Sequence, residues 1–130
     1  MVQSKRIYDA PESSDGCRVL VDRIWPRGLT KQRAHIALWL KQIGPSTALR
    51  KWFAHDPKRW PEFQKRYREE LRDKSDLLAE IKKLEREQGT VTLVYAARDQ
   101  QHNQTAVLRN LLTSRRSHTS ERRAANKAGA

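Results

Sequence analysis

The sequence has a single cysteine, Cys17, and no apolar run long enough to cross a membrane. One cysteine excludes an internal disulfide, and a chain of 130 residues is large enough to fold without one. The N-terminal residues lead into no apolar signal core. We therefore expect a cytoplasmic protein with no membrane partner, in which Cys17 is a buried structural thiol.

Motifs of several enzyme and cofactor classes are also missing. The sequence has no glycine-rich phosphate loop, no dinucleotide-binding fingerprint and no Gly-x-Ser-x-Gly elbow. Its four histidines show no HxxxH or HExxH spacing, and one cysteine cannot form a zinc cluster. We predict no cofactor and no metal site, and nucleophilic catalysis by Ser or Cys is disfavoured.

Positive charge is present in excess, with 27 Lys and Arg against 15 Asp and Glu, a net charge of +12. Residues 114–130 carry five Lys or Arg and one Glu, and the apolar pattern stops before them. We predict one domain over residues 1–113 and a disordered basic tail over residues 114–130. The charge is compatible with nucleic-acid binding through the tail and equally with a solvated basic surface.

Two short apolar runs predict the strands of a parallel sheet. They span residues 18–21 and 90–95, and a weaker strand is predicted near residues 5–8. Nearly seventy residues separate the two main runs, and helical spacing of apolar residues dominates this interval. The expected fold is α/β: a small, helix-rich single domain with a few-stranded, mainly parallel sheet and a helical crossover.

Capping residues and apolar spacing predict the helices in more detail. A first helix is expected from Thr30 to about Gln42, because Ile36, Trp39, Leu40 and Ile43 have helical spacing. Further helices are expected after Ser46, after Asp56-Pro57, from Ser75 to Gln88 and from near Gln100.

A polar cluster follows the first main strand. Asp22, Arg23 and Arg27 lie there, where ligands bind in parallel sheets. Asp22 and Arg23 could form a structural ion pair between strand and loop. Alternatively, Arg23 or Arg27 could hold an anionic ligand, because guanidinium groups match phosphate and carboxylate geometry.

A second polar cluster, Asp99, His102 and Asn103, follows the other main strand. The spacing of Asp99 and His102 places them on one side of a helical turn. His102 is then a candidate catalytic acid or base, oriented by Asp99 and assisted by Asp22. Asp99 could equally be the N-cap of the last helix, and one carboxylate can fill both roles.

His55 and Asp56 form a third candidate group, between aromatic residues. His55 could pack under Trp60 at a helix start, or it could reach the sheet edge beside His102. We include His55, Asp56 and Asn103, with Arg23 and Arg27, as candidate ligand-binding residues.

Residues 18–28, residues 45–57, and residues 94–99 with His102 and Asn103 resemble three sequence blocks of the bacterial YeaO-like family, a domain of unknown function. The resemblance covers residues 5–112 in the family's usual order. The departures are Ile24 for Leu, Arg98 for Lys, and the basic tail. The resemblance supports the α/β fold and the site at the sheet edge, and it implies no reaction.

Three functions therefore stay open from the sequence. The first is a polar pocket that binds or acts on a phosphorylated or nucleotide-like small molecule. The second is a nucleic-acid-binding accessory or regulatory protein that uses its basic surface and tail. The third is a partner-binding module. The sequence does not decide between enzyme and binding protein, and it indicates no oligomeric state.

Overall fold

The structure is a computed structural model and describes residues 1–113. Its sheet has four strands, all parallel, in the order β1-β4-β2-β3. The strands are β1 (Val2–Arg6), β2 (Cys17–Leu20), β3 (Leu38–Trp39) and β4 (Val91–Tyr95). The predicted α/β class and parallel sheet are confirmed. The predicted tail, residues 114–130, lies outside the described residues.

Five helices accompany the sheet within residues 1–113. They are α1 (Lys31–Ala34), α2 (Thr47–Phe53), α3 (Trp60–Leu71), α4 (Ser75–Gln88) and α5 (residues 104–113). Helix α2 starts where its cap predicts, because Ser46 Oγ accepts a hydrogen bond from the Leu49 N–H over 3.1 Å. Within the described part of the chain, no helix is long and apolar enough to cross a membrane.

Alternating strand residues place two apolar clusters on opposite faces of the sheet. Val19, Leu93 and their neighbours on one face pack against the buried sides of α2, α3, α4 and α5. Leu20 and Val94 on the other face pack against Ile7 and Ala34. Cys17 is buried in the larger cluster, as predicted.

The long connection between β2 and β4 joins neighbouring parallel strands, as predicted. Val19 pairs with Leu93, and Leu20 pairs with Val94. All four strands run the same way, so their carboxyl ends lie along one edge of the sheet. The polar segments that follow β1, β2 and β4 therefore start side by side.

Thr30 caps α1 as predicted, but the predicted extent of this helix to Gln42 is wrong. Helix α1 ends at Ala34, His35 takes a left-handed conformation with φ 52°, and Leu38–Trp39 pairs with β2 as an edge strand. Leu38 packs on the larger apolar cluster and Trp39 on the smaller. Burial on both faces of the sheet thus outweighs the helical spacing of these residues.

Candidate functional site

An open cleft of about 830 Å³ lies at the carboxyl edge of the sheet. Tyr8 from the segment after β1, residues 22–27 after β2, and residues 96–99 with 102–104 after β4 contribute to its lining. Helix α2 and its flanking residues form another wall. The two polar clusters of the sequence therefore face one space.

Most of the predicted site residues line this cleft. They are Asp22, Arg23, Arg27, His55, Asp99, His102 and Asn103. Asp56 does not line it: its Oδ1 accepts the Lys58 N–H over 3.0 Å and caps the turn before α3. Asp56 thus has the capping role that its position before Pro57 indicates.

Asp22 links the ends of β2 and β4. Its Oδ2 accepts the Ala96 N–H over 2.9 Å, and its Oδ1 accepts a hydrogen bond from Gln104 Nε2. Burial raises the pKa of Asp22, while these two hydrogen bonds and the positive charge of Arg50 oppose the rise. The Asp22 carboxylate therefore lines the cleft and also links the ends of β2 and β4.

Asp99 and His102 form a hydrogen-bonded pair. His102 Nδ1 lies 2.9 Å from Asp99 Oδ2, and Asp99 Oδ1 accepts the N–H groups of Gln101 and His102. The hydrogen bonds from the backbone and ring of His102 lower the pKa of Asp99 to about 2, with help from the Gln101 N–H. Trp60 packs edge-on against the His102 ring, at 5.2 Å between centroids. Asp99 therefore orients the imidazole, and Trp60 supports it.

Asn103, rather than Asp99, caps the last helix. Its Oδ1 accepts hydrogen bonds from the N–H and hydroxyl groups of Thr105, over 2.9 and 2.5 Å. Its Nδ2 donates to the Asp99 carbonyl over 2.8 Å. The helix consequently begins at residue 104, four residues later than expected. Asn103 is 3% exposed, so its amide is largely committed to the fold.

Arg23 contacts the turn before α2, and His55 contacts the ring of Phe53. Arg23 Nε donates to the Gly44 carbonyl over 2.9 Å, which fixes the segment after β2 to the turn before α2. His55 is exposed, has φ 56°, and lies 6.2 Å from Phe53 between ring centroids. The ring that packs against Trp60 is that of His102, in place of the predicted His55.

Several lining residues do not belong to the sequence clusters. They include Pro45, Arg50, Lys51, Phe53, Phe63 and Gln104. Arg50 follows buried Leu49 and precedes buried Phe53 by one helical turn, which places it at the border of the buried face of α2. The spacing of apolar residues in the sequence therefore indicates this position of Arg50. Gln104 has no such signal, because its contact with Asp22 spans 82 residues.

The start of helix α2 is tied to α3, and Arg50 of α2 retains an unused donor. Glu70 of α3 accepts hydrogen bonds from the N–H and hydroxyl of Ser46 over 2.9 and 2.5 Å. Arg50 Nη2 donates to the Thr47 hydroxyl over 3.2 Å. Arg50 Nε is buried and has no hydrogen-bond partner among residues 1–113. A donor in this position at the wall of a cleft is suited to an anionic acceptor.

Positive charge exceeds negative charge around the cleft. Within the described residues, the cationic lining side chains are Arg23, Arg27, Arg50, Lys51 and Arg98. The carboxylates of Asp22 and Asp99 accept hydrogen bonds from the protein itself. The described residues contain no group of three His, Cys, Asp or Glu side chains arranged to hold a metal ion.

The chain is similar to bacterial proteins over nearly its whole length. The uncharacterized protein Rv3073c of Mycobacterium tuberculosis (strain ATCC 25618 / H37Rv) is 45% identical over 114 residues, 88% of this chain and 95% of that protein. The uncharacterized protein YeaO of Escherichia coli (strain K12) is 40% identical over 116 residues, 87% of this chain and 97% of YeaO. No solved structure gives a significant match. A family model described as the inactive DUF488-N3 subclade matches residues 1–129, and the chain belongs to this YeaO-like family of unknown function.

Proposed function

We propose that the cleft binds an anionic small molecule that carries a phosphate group, with nucleotides as the model class. The observation that carries this proposal is the charge of the lining. Cations from three segments of the chain converge there, and the two lining carboxylates are hydrogen-bonded within the protein. The remaining positive charge favours an anion at the carboxyl edge of the sheet, where ligands of parallel sheets bind.

Arg50 and Lys51 are the preferred anion contacts. They are adjacent on α2, and Arg50 Nε is a buried donor without a protein partner in residues 1–113. Guanidinium groups bind phosphate oxygens through two parallel N–H donors, and an ammonium adds a point charge. Arg27 and Arg98 extend the positive lining on the β2 and β4 sides.

The apolar lining supports a ligand with a ring as well as a charged group. Pro45, Phe53 and Phe63 lie on the α2 and α3 side of the cleft. Phe53 and Phe63 are in contact, with ring centroids 4.4 Å apart. An apolar wall beside a few charged donors is typical of small-molecule sites.

The family is described as an inactive subclade, which favours binding of the ligand without its chemical conversion. In that case Asp99 holds His102 through Nδ1, and His102 Nε2 contributes a hydrogen bond to the ligand. If the ligand were converted, His102 would be the acid or base.

Isothermal titration of the full chain with adenosine monophosphate and adenosine tests the proposal. We expect binding of the monophosphate, and about tenfold weaker binding after Lys51→Ala or Arg50→Gln, because each removes one charged contact. Lys58→Ala is the matched control, since it removes the same charge outside the cleft lining. Equal affinity for adenosine, or equal effects of Lys51→Ala and Lys58→Ala, would overturn it.

A further inference from the structure

A second basic surface lies on helix α3, separate from the cleft. It is a shallow groove of about 510 Å³, which we call the α3 groove. Its lining residues are Pro61, Gln64, Lys65, Arg68, Glu69 and Arg72. None of them lines the cleft at the sheet edge.

The cations of the α3 groove form a row along the helix axis. Lys65 and Arg68 lie on α3, and Arg72 opens the helical turn directly after it. Their i, i+3 and i+7 spacing continues one stripe of the helix surface into this turn. All three are exposed. The opposite side of α3 is buried through Phe63 and Tyr67, which keeps the stripe turned to solvent.

The acidic residues of α3 do not cancel this row. Glu62 pairs with Arg66 at 3.0 Å, and Glu70 accepts the hydrogen bonds of Ser46. In the part of the chain that the structure describes, Glu69 is the one acid in the groove lining, beside three cations. No ion pair involves Lys65 or Arg72 within residues 1–113.

Positive charge continues from the groove onto the neighbouring helix. Arg68 Nη2 donates to Asn110 Oδ1 over 2.8 Å, which places α5 alongside α3. Arg109 of α5 is exposed. The sequence after residue 113 adds five Lys or Arg and one Glu.

We propose that the α3 groove binds the phosphate backbone of nucleic acid. Lys65 and Arg72 are seven residues apart, about 10 Å along a helix. Each strand of duplex DNA carries one phosphate per about 3.4 Å of helix axis, so a row of this length can face more than one phosphate. Among residues 1–113, Pro61 is the one apolar residue of the lining, and a row of cations in such a shallow groove matches a periodic polyanion better than a compact ligand.

The test measures binding of the full chain to a labelled duplex of about 20 base pairs by fluorescence anisotropy over a series of salt concentrations. The variant is Lys65→Ala/Arg72→Ala, which leaves the Arg68 contact with Asn110 intact. The control is Lys83→Ala/Arg86→Ala, which removes two exposed cations from α4. Circular dichroism checks that both variants are folded.

We expect the slope of log affinity against log salt to fall by about 2 in the α3 variant and to change little in the control. Equal changes in both variants, or no binding at about 50 mM salt, would overturn the proposal. If polyglutamate at equal charge displaces the duplex, the proposal is also overturned, because the groove would then bind an acidic protein surface as well as it binds nucleic acid. Adenosine monophosphate should leave duplex binding unchanged, which keeps this test independent of the cleft.

Discussion

The Asp22 carboxylate accepts a hydrogen bond of 2.9 Å from the Ala96 N–H, across 74 residues of sequence. Asp22 lies two residues after the end of β2, and Ala96 directly follows β4. The two polar segments that line the cleft are thus joined by a side chain as well as by the sheet. The same carboxylate holds Gln104 at the start of α5.

Replacing Asp22 should destabilise the fold. Asp22→Ala removes the acceptor of the Ala96 N–H and of Gln104, and leaving such donors unpaired costs about 1–3 kcal/mol. Equilibrium urea unfolding measures the loss, with Asp73→Ala on the exposed turn before α4 as a control. A loss no larger than that of the control would show that the hydrogen bonds of Asp22 contribute nothing to stability.

Arg50 should control the ionisation of Asp22. The pKa of Asp22 is raised by burial, and the positive charge of Arg50 limits that rise. Arg50→Gln removes the charge, so the pKa of Asp22 should increase further. Carbon NMR of the Asp22 carboxyl during a pH titration reports this directly. An unchanged pKa of Asp22 in Arg50→Gln would mean that the two groups do not interact. Lys58→Gln is the control and should leave the pKa of Asp22 unchanged.

Asp99 should make stability depend on pH in the acid range. Its pKa falls from 3.8 to about 2 in the folded protein, so the folded state binds this proton less tightly than the unfolded chain does. Its stabilising contribution is therefore present above about pH 4 and is lost as the pH falls from about 4 to 2.

Asp99→Asn keeps a side-chain oxygen that accepts the Gln101 and His102 N–H groups and removes this titration. The difference in unfolding free energy between wild type and Asp99→Asn should shrink between pH 5 and pH 2. Glu80→Gln, on the exposed side of α4, supplies the comparison. A difference that is constant over this range would refute the assignment.

Asn103 should matter for the last helix. Asn103→Ala removes the hydrogen bonds to Thr105 and to the Asp99 carbonyl, and we expect a loss of about 1–2 kcal/mol. Gln100→Ala changes an exposed residue three positions earlier and should cost much less. Urea unfolding compares the two variants. Equal losses would contradict the capping role of Asn103.

Gly16 should tolerate no side chain. It has φ +64°, and a Cβ there would overlap the Thr90 carbonyl, where the starts of β2 and β4 approach each other. Gly89 also has a positive φ, +85°, but a Cβ would meet nothing within 4 Å. We expect Gly89→Ala to cost about 1–2 kcal/mol and Gly16→Ala clearly more, measured by thermal unfolding. Similar losses would show that the close approach to Thr90 is unimportant.

The candidate site was predictable where it follows a strand. Asp22 comes directly after one strongly apolar run and His102 lies in the segment that follows the other, and parallel strands bring their carboxyl ends together. Arg50 was not predicted although its position beside the apolar face of α2 indicates it, whereas Gln104 reaches the cleft only through its contact with Asp22 across 82 residues. Asp56 was predicted at the site and lies outside the cleft lining, since its carboxylate caps a turn.

The sequence by itself determined β2, β4 and the starts of α2 and α4, because period, caps and turn residues act over a few positions. Only the tertiary structure decided that Leu38–Trp39 is a strand, because that outcome depends on pairing with β2. The same holds for the cleft, whose charges come from segments tens of residues apart and meet only after the sheet has formed.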